Sequence, residues 1–142
     1  MKKRQTTNFL VVHCSATPPK MNIGKKEIDQ WHRQRGWLKI GYHYVITRDG
    51  TIEEGRDKDV MGAHVKGHNA TSVGICLVGG VDDDNTPEDN FTPEQYEALL
   101  SHIRYLKEIY PDAEVVGHNT LYAGKACPSF DVEAWWNKNQ NS

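Results

Sequence analysis

Apolar residues fall along this chain in short continuous runs separated by polar turns, with helical spacing in only a few stretches. Residues 8–14 carry Phe9, Leu10, Val11 and Val12, closed by His13 and Cys14, which predicts a strand buried on both faces. Thr17, Pro18 and Pro19 then force a loop. Ile28 and Trp31, three apart within 25–35, predict a helix, and Gly36 stands where a left-handed C-terminal residue is wanted. Asp49-Gly50 between the strand-like runs 43–47 and 51–54 predicts a tight hairpin. The run 73–78, bounded by Gly79-Gly80, predicts another buried strand, and 81–90, with Asp82, Asp83 and Asp84, reads as a solvated loop. Thr92, Pro93 and Gln95 form the signature of a capped helix start. Tyr96, Leu99, Leu100, Ile103 and Leu106 continue it as a core-facing stripe. Residues 114–117 read as a last strand, and Asp131 as the cap of a final helix bearing Trp135 and Trp136. This order predicts one α/β domain over 1–142, a mixed central sheet flanked by helices, with ligands gathering where strands end in loops.

Composition narrows the class. A chain of 142 residues suits one domain with one core. The 17 Lys+Arg against 19 Asp+Glu leave a net charge of -2 and form no basic stripe, so nucleic acid is not an expected partner. No stretch approaches the roughly 18 apolar residues of a membrane span, so no membrane insertion is expected. Lys2, Lys3 and Arg4 precede an apolar run of only four residues, whereas a secretory core needs about 7 to 15. The chain is therefore expected to stay in the cytoplasm where it is made, and the basic end reads as frayed and solvated. Three cysteines, Cys14, Cys76 and Cys127, are too few for a disulfide framework.

Candidate chemistry centres on the seven histidines. His32 and His102 lie within predicted helices and read as solvated or rim residues. His13 and His118 instead close the first and last strands, and Cys127 follows nine residues after His118 in a loop. Two imidazoles and one thiolate make a coherent zinc set with a fourth position open to water. Among the cysteines, Cys14 neighbours His13 on a strand and points to the opposite face, and Cys76 sits in an apolar run as a small hydrophobe. A Cys/His nucleophilic hydrolase is the alternative chemistry, although only the metal reading uses both strand-end histidines. Glu53 with Glu54, and Glu27 with Asp29, do not face each other as a glycosidase pair must. Spacing alone leaves three unrelated residues as an open alternative.

The segments VVHCSAT, GWLKIGYHYVITRDGTIEEGR, GAHVKGHN, SVGICLVGG, NFTPEQ and KACPSFD, in this order, resemble the zinc-dependent N-acetylmuramoyl-L-alanine amidases of bacteriophage. The likeness runs from about Phe9 to Trp136, with peptidoglycan-recognition proteins as more distant relatives. The resemblance implies the amidase/peptidoglycan-recognition fold, Zn2+ on His13, His118 and Cys127, catalytic roles for Tyr42 and Lys125, and a substrate cleft lined by His64 and Asn69. For His64 and Asn69 a hydrogen-bonded loop is an equal alternative, and His43 reads as a satisfied buried imidazole. Asn119 departs from the Arg or Glu that many relatives carry after the ligand histidine. The implied function is that of a phage or prophage endolysin. Water activated on zinc would cut the amide between N-acetylmuramic acid and L-alanine of bacterial peptidoglycan. A monomer is expected, held in the host cytoplasm until a membrane-permeabilising partner such as a holin gives access to the wall. Two other readings follow from the resemblance: a module that binds muropeptide without cleaving it, and a partner that binds and inhibits a phage RNA polymerase.

Overall fold

The N-terminal apolar run folds as β1 (Phe9–Cys14) and lies inside a five-stranded sheet. On one side β1 pairs in parallel with β4 (Ser72–Leu77), on the other with β5 (Glu114–Gly117). β4 pairs in turn with β2 (Tyr44–Ile46), again in parallel, and β3 (Ile52–Glu54) closes the edge antiparallel to β2. The sheet is mixed, as expected. The computed structural model describes residues 2–140; the ends of the expected domain, Met1, Asn141 and Ser142, lie outside them. Among the described residues no helix is long and apolar enough to cross a membrane.

Strand alternation sorts the core into two faces. Leu10, Val12 and Cys14 point toward α2 (Pro93–Ile109), where Leu99, Ile103 and Leu106 meet them together with Ile75 and Leu77. Val132 of α4 (Val132–Asn139) joins the same layer, with Trp135 and Trp136 packed at its margin. Val11 and His13 point to the other face, where Val65 and Val116 surround Val11. That face also holds the packing of Ile28, from α1 (Lys25–Gln34), against Val45 and Cys76.

The expected local signals act as read. Gly36 (φ +90) ends α1, and Gly50 (φ +87) closes the hairpin, where Asp49 Oδ1 accepts from Thr51 N at 3.0 Å. Asp131 Oδ1 accepts from Ala134 N at 3.1 Å and starts α4. Two short elements escape the hydrophobic pattern: a 3-10 turn, Asn69–Thr71, and α3 (His118–Leu121). Neither is long enough to show a period. His118 therefore opens a helix rather than closing a strand.

The N-terminal segment is not frayed. Arg4 N donates to Asp59 O at 2.7 Å, Met61 N donates to Lys2 O at 2.8 Å, and Lys3 bridges Val60. The Arg4 guanidinium donates through Nε to Lys58 O at 2.8 Å and lies 5.5 Å from the Tyr110 ring centroid. Its planar fork also donates to Thr6 O at 3.1 Å, Thr7 Oγ1 at 2.6 Å and Tyr110 Oη at 3.3 Å, a spread of donors that guanidinium geometry supplies.

Gln95 does more than complete a capping box. Its Oε1 accepts from Thr92 N at 2.9 Å, and its Nε2 donates to Val78 O at 2.8 Å and Ile46 O at 3.2 Å. The side chain is fully buried and ties the start of α2 to the ends of β2 and β4. Gln95→Leu should therefore cost about 2–3 kcal/mol, because Thr92 N loses its acceptor and the carbonyls of Val78 and Ile46 each lose one of their donors. Thr92→Ala should cost only about 1 kcal/mol as a lost cap. Urea midpoints at unchanged slope measure both, and equal costs would contradict the wider role of Gln95.

Candidate functional site

The parallel register of β1 with β4 and β5 puts three strand ends on the same side of the sheet, and the chain builds its site there. At the end of β5 the chain turns directly into α3. Glu133 of α4 holds that corner, accepting from Gly117 N at 3.2 Å and from Thr120 Oγ1 at 2.8 Å. Asn119 N donates to Cys127 O at 2.9 Å, which draws the following loop back over the sheet. As a result one ligand atom each of His13, His118 and Cys127 lies within 4.8 Å of the others. Cys14 points its side chain into the opposite core layer, as alternation requires, while its backbone N–H donates to Cys127 Sγ at 2.9 Å. Cys76 is fully buried among apolar residues.

Desolvation sets the charge state of these groups. Burial lowers the pKa of His13, and neighbouring imidazoles lower it further; burial also lowers His118, with the Lys125 charge adding to it. Both rings are thus neutral, the form that binds metal. The neighbouring Cys14 thiol and burial push the Cys127 thiol up. A cation against this sulfur reverses that preference, because its own charge outweighs the surroundings. Two imidazoles and a thiol are a donor set that can hold a divalent ion such as zinc.

The cluster opens into a cleft of about 420 Å³ that Tyr42, Trp37 and Lys125 help to line. The Tyr42 ring lies 5.1 Å from the His13 ring, centroid to centroid. Burial above all, with the cysteine sulfurs adding to it, holds its phenol well above the usual tyrosine range, so it keeps its proton. Lys125 is exposed at the mouth, its Nζ 5.9 Å from the Tyr122 ring centroid. A second hollow of about 360 Å³ borders His118 and runs along Trp37, Val65 and Asn69. His64 and Asn69 both line it, but most of their polar atoms are engaged. Asn69 Oδ1 accepts from His64 N at 2.8 Å and Val65 N at 2.9 Å, and the His64 ring turns inward onto His13.

The remaining histidines divide. His43 is fully buried and satisfied, its Nδ1 accepting from Gly74 N at 2.9 Å and its Nε2 donating to Val60 O at 2.7 Å. His32 is buried rather than solvated. The loop after α1 folds back over it, so that Gly41 N donates to its Nδ1 at 2.9 Å and Trp37 packs 4.6 Å from its ring. His102 is half-buried, edge-on to Tyr44 with ring centroids 4.1 Å apart, three residues after Leu99 on the margin of the buried stripe. Glu53 and Glu27 sit in a separate hollow at the start of α1, accepting from Lys25 N and Gly24 N, each at 2.8 Å. Sequence reasoning missed Trp37 in the cleft and Glu133 behind His118. The first had the Gly36 helix stop as a signal; the second had none.

This fold is that of the amidases and peptidoglycan-recognition proteins. The N-acetylmuramoyl-L-alanine amidase LysC of Clostridium intestinale URNW matches it with a TM-score of 0.81 at 28% identity, over 99% of this chain and 93% of that one. Drosophila PGRP-LB matches with a TM-score of 0.80 at 25% identity, over 97% of this chain and 84% of its own. In sequence, the family model described as N-acetylmuramoyl-L-alanine amidase matches residues 3–130, and the chain belongs to that family. The endolysin of Klebsiella phage KP32 is 55% identical over 138 residues, 97% of this chain and 91% of that protein.

His43 makes the fold acid-sensitive. Burial lowers its pKa to about 4, against about 6.5 in the unfolded chain. Its stabilising contribution is therefore intact above pH 6.5 and is lost as pH falls toward 4, where the unfolded chain binds a proton that the native one refuses. Wild-type protein should lose about 2 kcal/mol more than His43→Asn between pH 7 and pH 5 in urea titrations. Parallel losses would show that His43 does not contribute to the sensitivity.

Proposed function

We propose that this amidase is a phage endolysin, a single catalytic domain that hydrolyses the amide between N-acetylmuramic acid and L-alanine with zinc held by His13, His118 and Cys127. The observation that carries this reading is the convergence of those three donors at one end of a cleft, from a strand, a helix start and a loop. Three protein donors are the count of a catalytic zinc site, whereas structural sites take four. When bound, zinc supplies Lewis acidity that lowers the pKa of water and polarises a carbonyl.

The chain's own residues do the rest. Lys125 brings an ammonium to the mouth of the cleft, where the scissile carbonyl oxygen gains charge. Tyr42 keeps its proton through burial and so acts as a hydrogen-bond donor, orienting the attacking water or passing a proton to the leaving amine. The hollow along Trp37, Val65 and Asn69 accommodates the stem peptide, with the loop after His64 braced by Asn69. The protein acts as a monomer, on the wall, once the membrane is permeabilised. A module that only binds muropeptide has no use for the three donors.

Purified protein should hold about one zinc per chain and lose hydrolysis on chelation. Cys127→Ser should lose the metal and Cys14→Ser should keep it; equal loss in both would refute the choice of ligands. Lys125→Ala and Tyr42→Phe should retain zinc and lower turnover on the order of 100-fold.

Product analysis separates amide from glycan cleavage. Digested peptidoglycan should show new L-alanine amino termini while reducing sugar ends stay constant. A rise in reducing ends without new amines would exclude the amidase reading, and binding with neither product would favour the recognition module.

A further inference from the structure

We propose that His64 and Ser72 are positioning residues that select the metal-binding nitrogen of His13, through a directed chain of hydrogen bonds anchored on a backbone carbonyl. The proposal rests on the zinc reading only for what His13 binds; its direction comes from the contacts themselves. His13 Nε2 lies 2.8 Å from His64 Nδ1, His64 Nε2 lies 3.2 Å from Ser72 Oγ, and Ser72 Oγ lies 2.7 Å from His68 O.

The carbonyl end fixes the order of the protons. A carbonyl oxygen only accepts, so the single hydroxyl proton of Ser72 goes to His68. Ser72 Oγ is then an acceptor for His64, whose proton must sit on Nε2. A neutral ring protonated there has a bare Nδ1, which accepts from His13 Nε2–H. His13 is left with a bare Nδ1, and that lone pair is the one available to a metal. In the opposite order a proton on His64 Nδ1 would use the His13 Nε2 lone pair and keep the His13 proton on Nδ1. Neither nitrogen of His13 would then be a ligand.

Surroundings hold the chain in place. Ser72 is fully buried, His13 is 1% exposed and His64 is 8% exposed, so a missing partner is not replaced cheaply by water. The His64 ring lies across Gly74, where an added Cβ would come within 2.6 Å of it. Only glycine at 74 leaves room for the ring. Asn69 fixes the backbone on either side of the His64–Val65 peptide. A metal-binding histidine braced through its second nitrogen is a general device for setting tautomer and orientation. Here the brace is itself a histidine, which transmits the choice from one carbonyl.

Ring-nitrogen NMR of the zinc-loaded protein tests the order directly. His13 should carry its proton on Nε2 and a metal-shifted Nδ1, and His64 should carry its proton on Nε2 with a bare Nδ1. A His13 that binds through Nε2, or a His64 protonated on Nδ1, would overturn the proposal. Ser72→Ala removes the acceptor and should weaken zinc binding on the order of 10-fold in competition with a chromophoric chelator. Unchanged affinity in folded Ser72→Ala protein would also overturn it. Should wild-type protein take up no zinc, the zinc reading fails, and the same spectra still decide the relay. A bare His13 Nδ1 then supports it and a proton there refutes it.

Discussion

An imidazole sealed at the end of an otherwise apolar strand has to satisfy its nitrogens without water, and much of the site follows from that requirement. β1 is covered on both faces, and His13 is its polar exception on the face opposite α2. The His64 ring meets one side of it, and the His118 ring lies 4.5 Å away, centroid to centroid. Desolvation keeps His13, His64 and His118 neutral and Tyr42 protonated. One physical cause thus sets the charge state of four groups, and it favours ligation over general-base behaviour at the histidines.

Around this neutral interior the cleft is rimmed with cations. Arg35 and Lys125 are exposed at its edge, while the buried groups below carry no charge. Such an arrangement leaves positive charge at the rim, available to an entering group that gains negative charge. Lys125 also sits two residues before Cys127, so that the loop carrying the thiol also delivers the ammonium. The strand, the helix start and the loop each supply one donor. Interactions from outside the cluster, such as Glu133 on Gly117 N, hold these pieces at their separations.

The local devices were legible because their physics is local. A capping box needs Thr92 and Gln95 three apart, a hairpin needs Asp49-Gly50, and a buried strand needs a short apolar run. The two-face alternation of β1 also set Cys14 on the face opposite His13. Failures came where a residue is covered by something remote. His32 lies four residues after Ile28 on the buried face of α1, and the returning Trp37–Gly41 loop completes its cover. Arg4 belongs to a basic tail by composition, yet the carbonyls of residues 58 and 59 give it partners.

By itself the sequence determined the longer elements, the mixed α/β class and, through its colinear motifs, the amidase family. It also offered His13, His118 and Cys127 as a set of suitable chemistry without showing that they meet. Tertiary structure decided the meeting: strand pairing, the turn of α3 and the Cys14 N–H bond to Cys127 Sγ bring residues 13 and 127 together. It also brought His13 and His64 together. The contact between His13 and His64 spans 51 positions, and no periodicity or spacing rule reaches across such a separation. Which nitrogen carries a proton depends on the partner each ring faces in space, and only the folded chain supplies those partners.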